Sequence, residues 1–243
     1  MIKSYKAKKD IKVYWAPVWD DPQYWSLLYK DPELVTKDLA KDKVKDLNPL
    51  NFLRCPAHIE YFKNTYMIRT VLPTEINVVN GEAIISDGGN LGGKIGHEPT
   101  LKDRHLLHMF MGWIFFTEEE SLLVSSMPPF FHQTEHSKYA SLVPGSFDVG
   151  KWFRPVNAEY QLWQDIDKFV MLEDEPMMYV KFHTDQNVIL ERFHLNSTLD
   201  DIRKHVQDSS FWQPRRTMAQ RYEQFKNSRL KSLILKEIKE NLY

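Results

Sequence analysis

The sequence predicts an α+β protein: an antiparallel, jelly-roll-like β-sandwich core with an N-terminal helical wrap and C-terminal helices. Three observations predict it. Short apolar segments recur through residues 65–195, separated by Gly, Pro, Asn and Asp at turn positions. Side chains in the last of these segments alternate with period two, so that Val188, Leu190, Arg192 and His194 share one face and Ile189, Glu191, Phe193 and Leu195 the other. Charged stretches with helical spacing flank the apolar region on both sides. The expected organisation is a Trp-rich and helical wrap over 1–64, the sandwich over 65–195 and a helical tail over 196–243.

Composition bounds the function. A chain of 243 residues makes one large or two small domains. A chain of this size buries roughly 70% of its unfolded surface without a staple. The aromatic fraction of 13% favours a β-rich core. A net charge of -1 gives no general attraction to nucleic acid or to an anionic membrane. No apolar run reaches the length of a membrane span. Residues 1–9 lack the apolar segment of a secretory signal, and the one cysteine, Cys55, forms no intrachain disulfide. These features read as a cytoplasmic protein.

From the N-terminus, Lys12–Pro17 predicts a strand, and Trp15, Trp19 and Trp25 crowd a segment broken by Pro17 and Pro22. Large aromatics there pack against a sheet more readily than they stack on a sugar or base. Asp31–Leu47 reads as a solvated amphipathic helix, with Asp31 before Pro32 as its start. Cys55–Lys63 reads as a short helix and Tyr66–Leu72 as a strand. Glu75–Val79 and Glu82–Ser86 flank Asn80-Gly81, the residue pair a type I′ turn requires. Asp87–Pro99 holds five glycines and reads as a flexible excursion.

His108–Phe116 is an aromatic-rich buried strand, and Thr117–Glu120 is a charged turn returning into Ser121–Ser126, the pattern of a hairpin. Pro128-Pro129 stops the second strand. Val143–Pro155 is a hinge. Glu159–Trp163 and Lys168–Leu172 are further short strands, and Pro176–Phe182 with Asn187–Leu195 reads as a second hairpin. Asn196 or Ser197 caps a helix to about Val206, and Pro214 opens a longer one. Residues 211–243 carry eight Lys/Arg and three Glu, a tail of +5 against -6 for the remainder. Its apolar residues keep helical spacing with one slip near Arg229, so the helix must cover its own sheet, a second copy or a partner.

Several patterns invite chemistry. Gly88–Lys94 matches a phosphate loop, but Ile95 replaces the Ser or Thr that binds magnesium and Pro99 cuts off the following helix. His132 to His136 has the His-x-x-Glu-His spacing of a zinc protease, which needs a helix; the prolines on both sides predict a loop. On a jelly roll, His183, Asp185 and His132 are the candidate facial triad for Fe(II). Cys55 has no activating neighbour. The basic residues of the tail are interrupted by glutamates, so nucleic acid is not the expected partner.

The layout from His108 onward resembles an uncharacterised jelly-roll-like protein family of tailed phages and bacteria. The likeness lies in the strand containing Trp113, Pro128-Pro129, the Pro144–Trp152 stretch, Glu175–Val180, and Phe52–Ala57. The family offers no activity or site residue, and implies only a phage-encoded protein. The resulting expectation is a non-enzymatic interaction or structural protein without a cofactor. It would contact a protein partner or a second copy through Met218, Tyr222, Phe225 and Leu233 of the C-terminal helix. The alternative is a cupin-like Fe(II)-dependent oxygenase using His183, Asp185 and His132.

Overall fold

Short apolar runs, some alternating and others buried on both faces, build the strands of the computed structural model, which describes residues 9–18, 29–41, 55–79, 82–85, 93–97, 105–211 and 216–243. In chain order these are β1 (Ile11–Val18), β2 (Glu33–Leu34), α1 (Val35–Lys41), α2 (Pro56–Phe62), β3 (Thr65–Arg69), β4 (Thr74–Val79), β5 (Glu82–Ile85) and β6 (Gly93–His97). They continue with β7 (His105–Thr117), β8 (Leu123–Met127), a 3-10 turn (His136–Lys138), β9 (Ala140–Leu142), β10 (Gly145–Asp148) and β11 (Val156–Leu162). The last are β12 (Lys168–Met171), β13 (Pro176–Phe182), β14 (Val188–Arg192), α3 (Ser197–Phe211), α4 (Met218–Asn227) and α5 (Leu230–Glu240). The chain is a mixed α+β protein with several antiparallel sheets.

The first sheet runs β14-β1-β7-β11-β9, with β6 also on β7. The second runs β10-β8-β13-β3-β2, and a small third sheet β12-β4-β5. Every pairing is antiparallel except β1 with β14, which is parallel. Pro17 sits where β1 pairs with β7 alone, since the β14 register ends at Trp15; a residue without an N–H is tolerated there.

Strand β7 explains the layering. Its Leu107, Met109, Met111, Trp113 and Phe115 join Tyr66 and Ile68 of β3, Val124 of β8, and Val180 and Phe182 of β13 in one buried cluster. The Phe115 and Phe182 rings meet edge to face at 5.7 Å. Each such side chain contributes about 1.5–3 kcal/mol on burial. The opposite face of β7, through Ile114 and Phe116, joins a second cluster with Phe153, Phe193, Leu199, Phe225, Ile234 and Ile238. The C-terminal helices therefore lie on the outer face of the first sheet. A third cluster joins Met67 of β3 and Tyr179 of β13 to Val35, Leu39 and Phe62, so α1 and α2 cover the outer face of the second sheet.

Several expectations hold. Val79 pairs with Glu82, leaving two residues for the turn at Asn80-Gly81, which itself lies outside the described residues. Helix α2 and strand β3 fall where the sequence places them. Asn196 Oδ1 accepts from Leu199 N at 2.9 Å and caps α3. The single longer helix expected after Pro214 is corrected: it is two helices, α4 and α5, which part at the slip in spacing near Arg229, with Arg229 in the left-handed region at φ 59°.

Both expected hairpins are corrected. Strand β7 lies in the first sheet and β8 in the second, so the Thr117–Leu122 link crosses between layers rather than folding one ladder back on itself. Strands β13 and β14 are likewise split between the two sheets. The reason is edge occupancy: β7 hydrogen-bonds to β1 and β11, and β13 to β3 and β8, which leaves no edge for the chain neighbour. Part of the glycine-rich stretch is also strand, Gly93–His97 pairing with His105–Met109; the rest, with Trp19 and Trp25, lies outside the described residues.

The seat of α5 makes a paired expectation. Ile234 is fully buried and Leu233 is 44% exposed. Ile234→Ala should cost about 2–5 kcal/mol, and Leu233→Ala no more than about 0.5 kcal/mol, by urea denaturation. Equal losses at the two positions would remove α5 from the sheet as drawn.

Candidate functional site: a basic cavity beside the C-terminal helices

The segment after β10 is pinned by one carboxylate. Asp148 Oδ1 accepts from the backbone N–H of Leu122 (3.1 Å) and Gly150 (3.0 Å). Its Oδ2 accepts from Ser121 Oγ (2.6 Å) and Lys151 Nζ (2.9 Å). Burial alone would raise this carboxyl, yet the hydroxyl, the ammonium and the two amides together hold it below the ordinary carboxylate value. Gly150 is required because a Cβ there would lie 2.5 Å from the carbonyl oxygen of Glu119. Lys231 of α5 closes the arrangement by donating to the carbonyls of Glu119 and Gly150.

Phe153 turns inward and stacks edge to face on Phe116 at 5.3 Å. Its neighbours Trp152 and Arg154 line a cavity of about 100 Å³ together with Lys151, Arg216, Arg221 and Tyr222. His205 of α3, Phe225 of α4 and Leu230 of α5 are also in the wall. Helix α4 enters with a capping box: Thr217 Oγ1 accepts from Gln220 N, and Gln220 Oε1 accepts from Thr217 N. That fixed start sets where Tyr222 falls, and its hydroxyl accepts from Asp148 N at 2.8 Å. The Trp152 ring lies between partners, stacked with Phe147 at 5.9 Å, edge to face with Tyr222 at 6.2 Å, and under the Arg154 guanidinium at 4.6 Å.

The electrostatics of the cavity are one-sided. Among the described residues, four cations line it and no acidic side chain does. Burial, and then the charge of Arg221, lower the pKa of Arg154. Arg154 Nε and Trp152 Nε1 are buried donors with no acceptor among the described residues. Arg216 spends a donor on Gln224 Oε1, and Arg221 Nε donates to the Arg216 carbonyl at 3.3 Å. Chemically the wall can take an anion: fixed guanidinium donors, an indole N–H and a surplus of positive charge.

The residues singled out from the sequence fall in different places. His132 is held between Tyr179 Oη (2.5 Å at Nδ1) and Asp38 Oδ2 (3.0 Å at Nε2), and Asp38 is also bound by Arg69 at 2.7 Å. His183 and Asp185 follow the end of β13 and line a broad groove with Lys63, Lys181 and Tyr61. His183 Nε2 meets Ser125 Oγ at 2.7 Å, and burial with the nearby Lys181 charge keeps its pKa below the usual value. His132 is not part of that groove. Among the described residues, no three His, Cys, Asp or Glu side chains gather as metal ligands do. The His-x-x-Glu-His pattern is a loop with one 3-10 turn. Its second histidine, His136, is buried against Glu175 at 2.7 Å, while Glu135 pairs outward with Lys138.

Of the expected contact residues, Tyr222 and Phe225 line the cavity, and Met218 and Leu233 stay exposed. Sequence reasoning passed over Trp152, Arg154, Arg216 and Arg221 as a group. The available signals were the +5 tail and the Lys151–Arg154 step inside the hinge. No protein-family model, no curated protein and no solved structure matches the chain. Among the described residues no helix is long and apolar enough to cross a membrane.

Asp148 sets a pH dependence. Its folded pKa lies below the unfolded value of about 4. The stability it contributes is complete above that value and is lost as pH falls through the folded pKa. Asp148→Asn should lower Tm near neutral pH and flatten its fall toward acid. Calorimetric curves for the two proteins that run parallel across the acid range would rule out Asp148 as the anchor.

Proposed function

We propose that the protein is a non-enzymatic binding protein, a jelly-roll-like sandwich whose C-terminal helices carry the recognition site. The basic cavity takes an anionic group of its ligand or partner. The observation that carries this reading is Arg154: a half-buried guanidinium beside Arg221, with no carboxylate in the wall and no acceptor on Nε among the described residues. Holding like charges together at reduced solvation is unfavourable, and a bound anion relieves that repulsion. Met218 and Leu233, exposed on the same helices, extend the surface toward the rest of the partner. The jelly-roll form is supported by the strand succession. Apart from β2 and β6, each of which pairs with the strand that follows it, the strands of these two sheets (β1, β3, β7, β8, β9, β10, β11, β13 and β14) alternate between the first and the second, as links that cross between two layers require. The parallel pairing of β1 with β14 is the departure from that form.

The test is thermal stability in added sulfate against chloride at matched ionic strength. At ten times Kd, sulfate should stabilise by about 1.4 kcal/mol, a rise of about 3–6 °C in Tm for a chain of this size. Arg154→Gln should abolish the rise. A native protein indifferent to sulfate would sink the reading. The oxygenase alternative is separated by metal analysis: stoichiometric iron that disappears in His183→Ala and Asp185→Ala would put it in place of the binding reading.

A further inference from the structure

We infer that the group selected by the cavity is a terminal phosphoryl dianion, the end of a phosphomonoester, in preference to a carboxylate or a phosphodiester. This rests on the anion-binding reading above and specifies its ligand class. Charge is the first argument. Lys151, Arg154, Arg216 and Arg221 face the cavity, and the nearest carboxylate, Asp148, is already bound to Lys151. A monoanion would leave most of that charge uncompensated, whereas a phosphomonoester carries close to two negative charges at neutral pH.

Donor inventory is the second argument. Arg154 and Trp152, both in the wall, each keep a buried donor, Nε and Nε1, with no acceptor among the described residues, a setting that favours a ligand group with several strong acceptor atoms. The Arg154 guanidinium carbon also lies 4.6 Å from the Trp152 ring centroid, a contact that restrains its planar fork before any ligand arrives. A phosphoryl group offers three terminal oxygens to such donors, and a carboxylate two. Size is the third argument. Small-molecule pockets usually enclose roughly 300–1,000 Å³, and this one encloses about 100 Å³. It holds a functional group and leaves the remainder of the ligand outside. A diester carries a single charge and continues its chain on both sides, so it suits neither the charge nor the enclosure. The same dianion could come from a small phosphorylated molecule or from a phosphorylated side chain.

The experiment is calorimetric titration of the full chain at low ionic strength with four probes: methyl phosphate, sulfate, dimethyl phosphate and acetate. The two dianions should bind about tenfold or more tighter than the two monoanions. That preference should be lost in Arg154→Gln and again in Arg221→Gln, a second variant on α4 rather than in the segment after β10. Methyl phosphate should tighten relative to sulfate as pH rises through about 6, where the monoester takes its second charge. Sulfate stays doubly charged, so the ratio cancels titration of His205, Tyr222, Asp148 and the lining cations. Equal binding of all four probes would overturn the phosphoryl assignment and leave anion recognition standing. No binding by any probe would overturn both. A phosphoserine peptide is the final arm: binding far tighter than methyl phosphate assigns the group to a phosphorylated protein, and equal binding assigns it to a small molecule.

Discussion

The structure depends on β7 being apolar on both faces. A strand with one apolar face needs one cover; Leu107, Met109, Met111, Trp113 and Phe115 face one cluster while Ile114 and Phe116 face another. The first face draws the second sheet over it, and the second face draws the C-terminal helices. Because β7 is also paired along both edges, by β11 on one and by β1 and its own preceding strand β6 on the other, the segment that follows it cannot fold back onto it and crosses to the other layer. The layered arrangement, the crossing links and the docking of α4 and α5 all follow from this one strand.

The cavity is a consequence of the same packing. Phe153 belongs under the helices with Phe116 and Phe225, and its insertion leaves Trp152 and Arg154 on either side of it, turned toward α4. Asp148 satisfies two loop amides and one lysine, and it holds the preceding turn against Ser121. The carboxylate nearest the cavity is thus spent on architecture. Arg154, fixed over an indole and facing another arginine, keeps donors that the fold itself does not use. Polar groups of this kind are ordinarily satisfied within a protein, which is why Arg154 and Trp152 point to a ligand. The histidines that drew attention in the sequence behave in the opposite way: His132 and His136 are each held by neighbouring carboxylates, and His183 by Ser125.

The sequence by itself determined the local elements. Strand character is a local property of residue type, so β11 was legible from its partial period-two alternation and β1, β3 and β13 from short apolar runs bounded by turn residues. So were the two-residue gap at Asn80-Gly81, the cap at Asn196 and the slip in spacing near Arg229, since each depends on a few adjacent residues. Which strand pairs with which was decided only by the tertiary structure. The charged turn at Thr117–Glu120 and the polar link at Thr184–Asn187 suit a hairpin and an inter-sheet crossing equally well, and edge occupancy by distant strands chose between them. The cavity belongs to that second class. Trp152 and Arg154 lie more than sixty positions from Arg216 and Arg221, and their convergence is set by the burial of Phe153, Phe225 and Ile234 beneath one sheet face. Backbone periodicity is local and can be read along a chain; the meeting of like charges across a packed interface is fixed by long-range burial, and no local pattern encodes it.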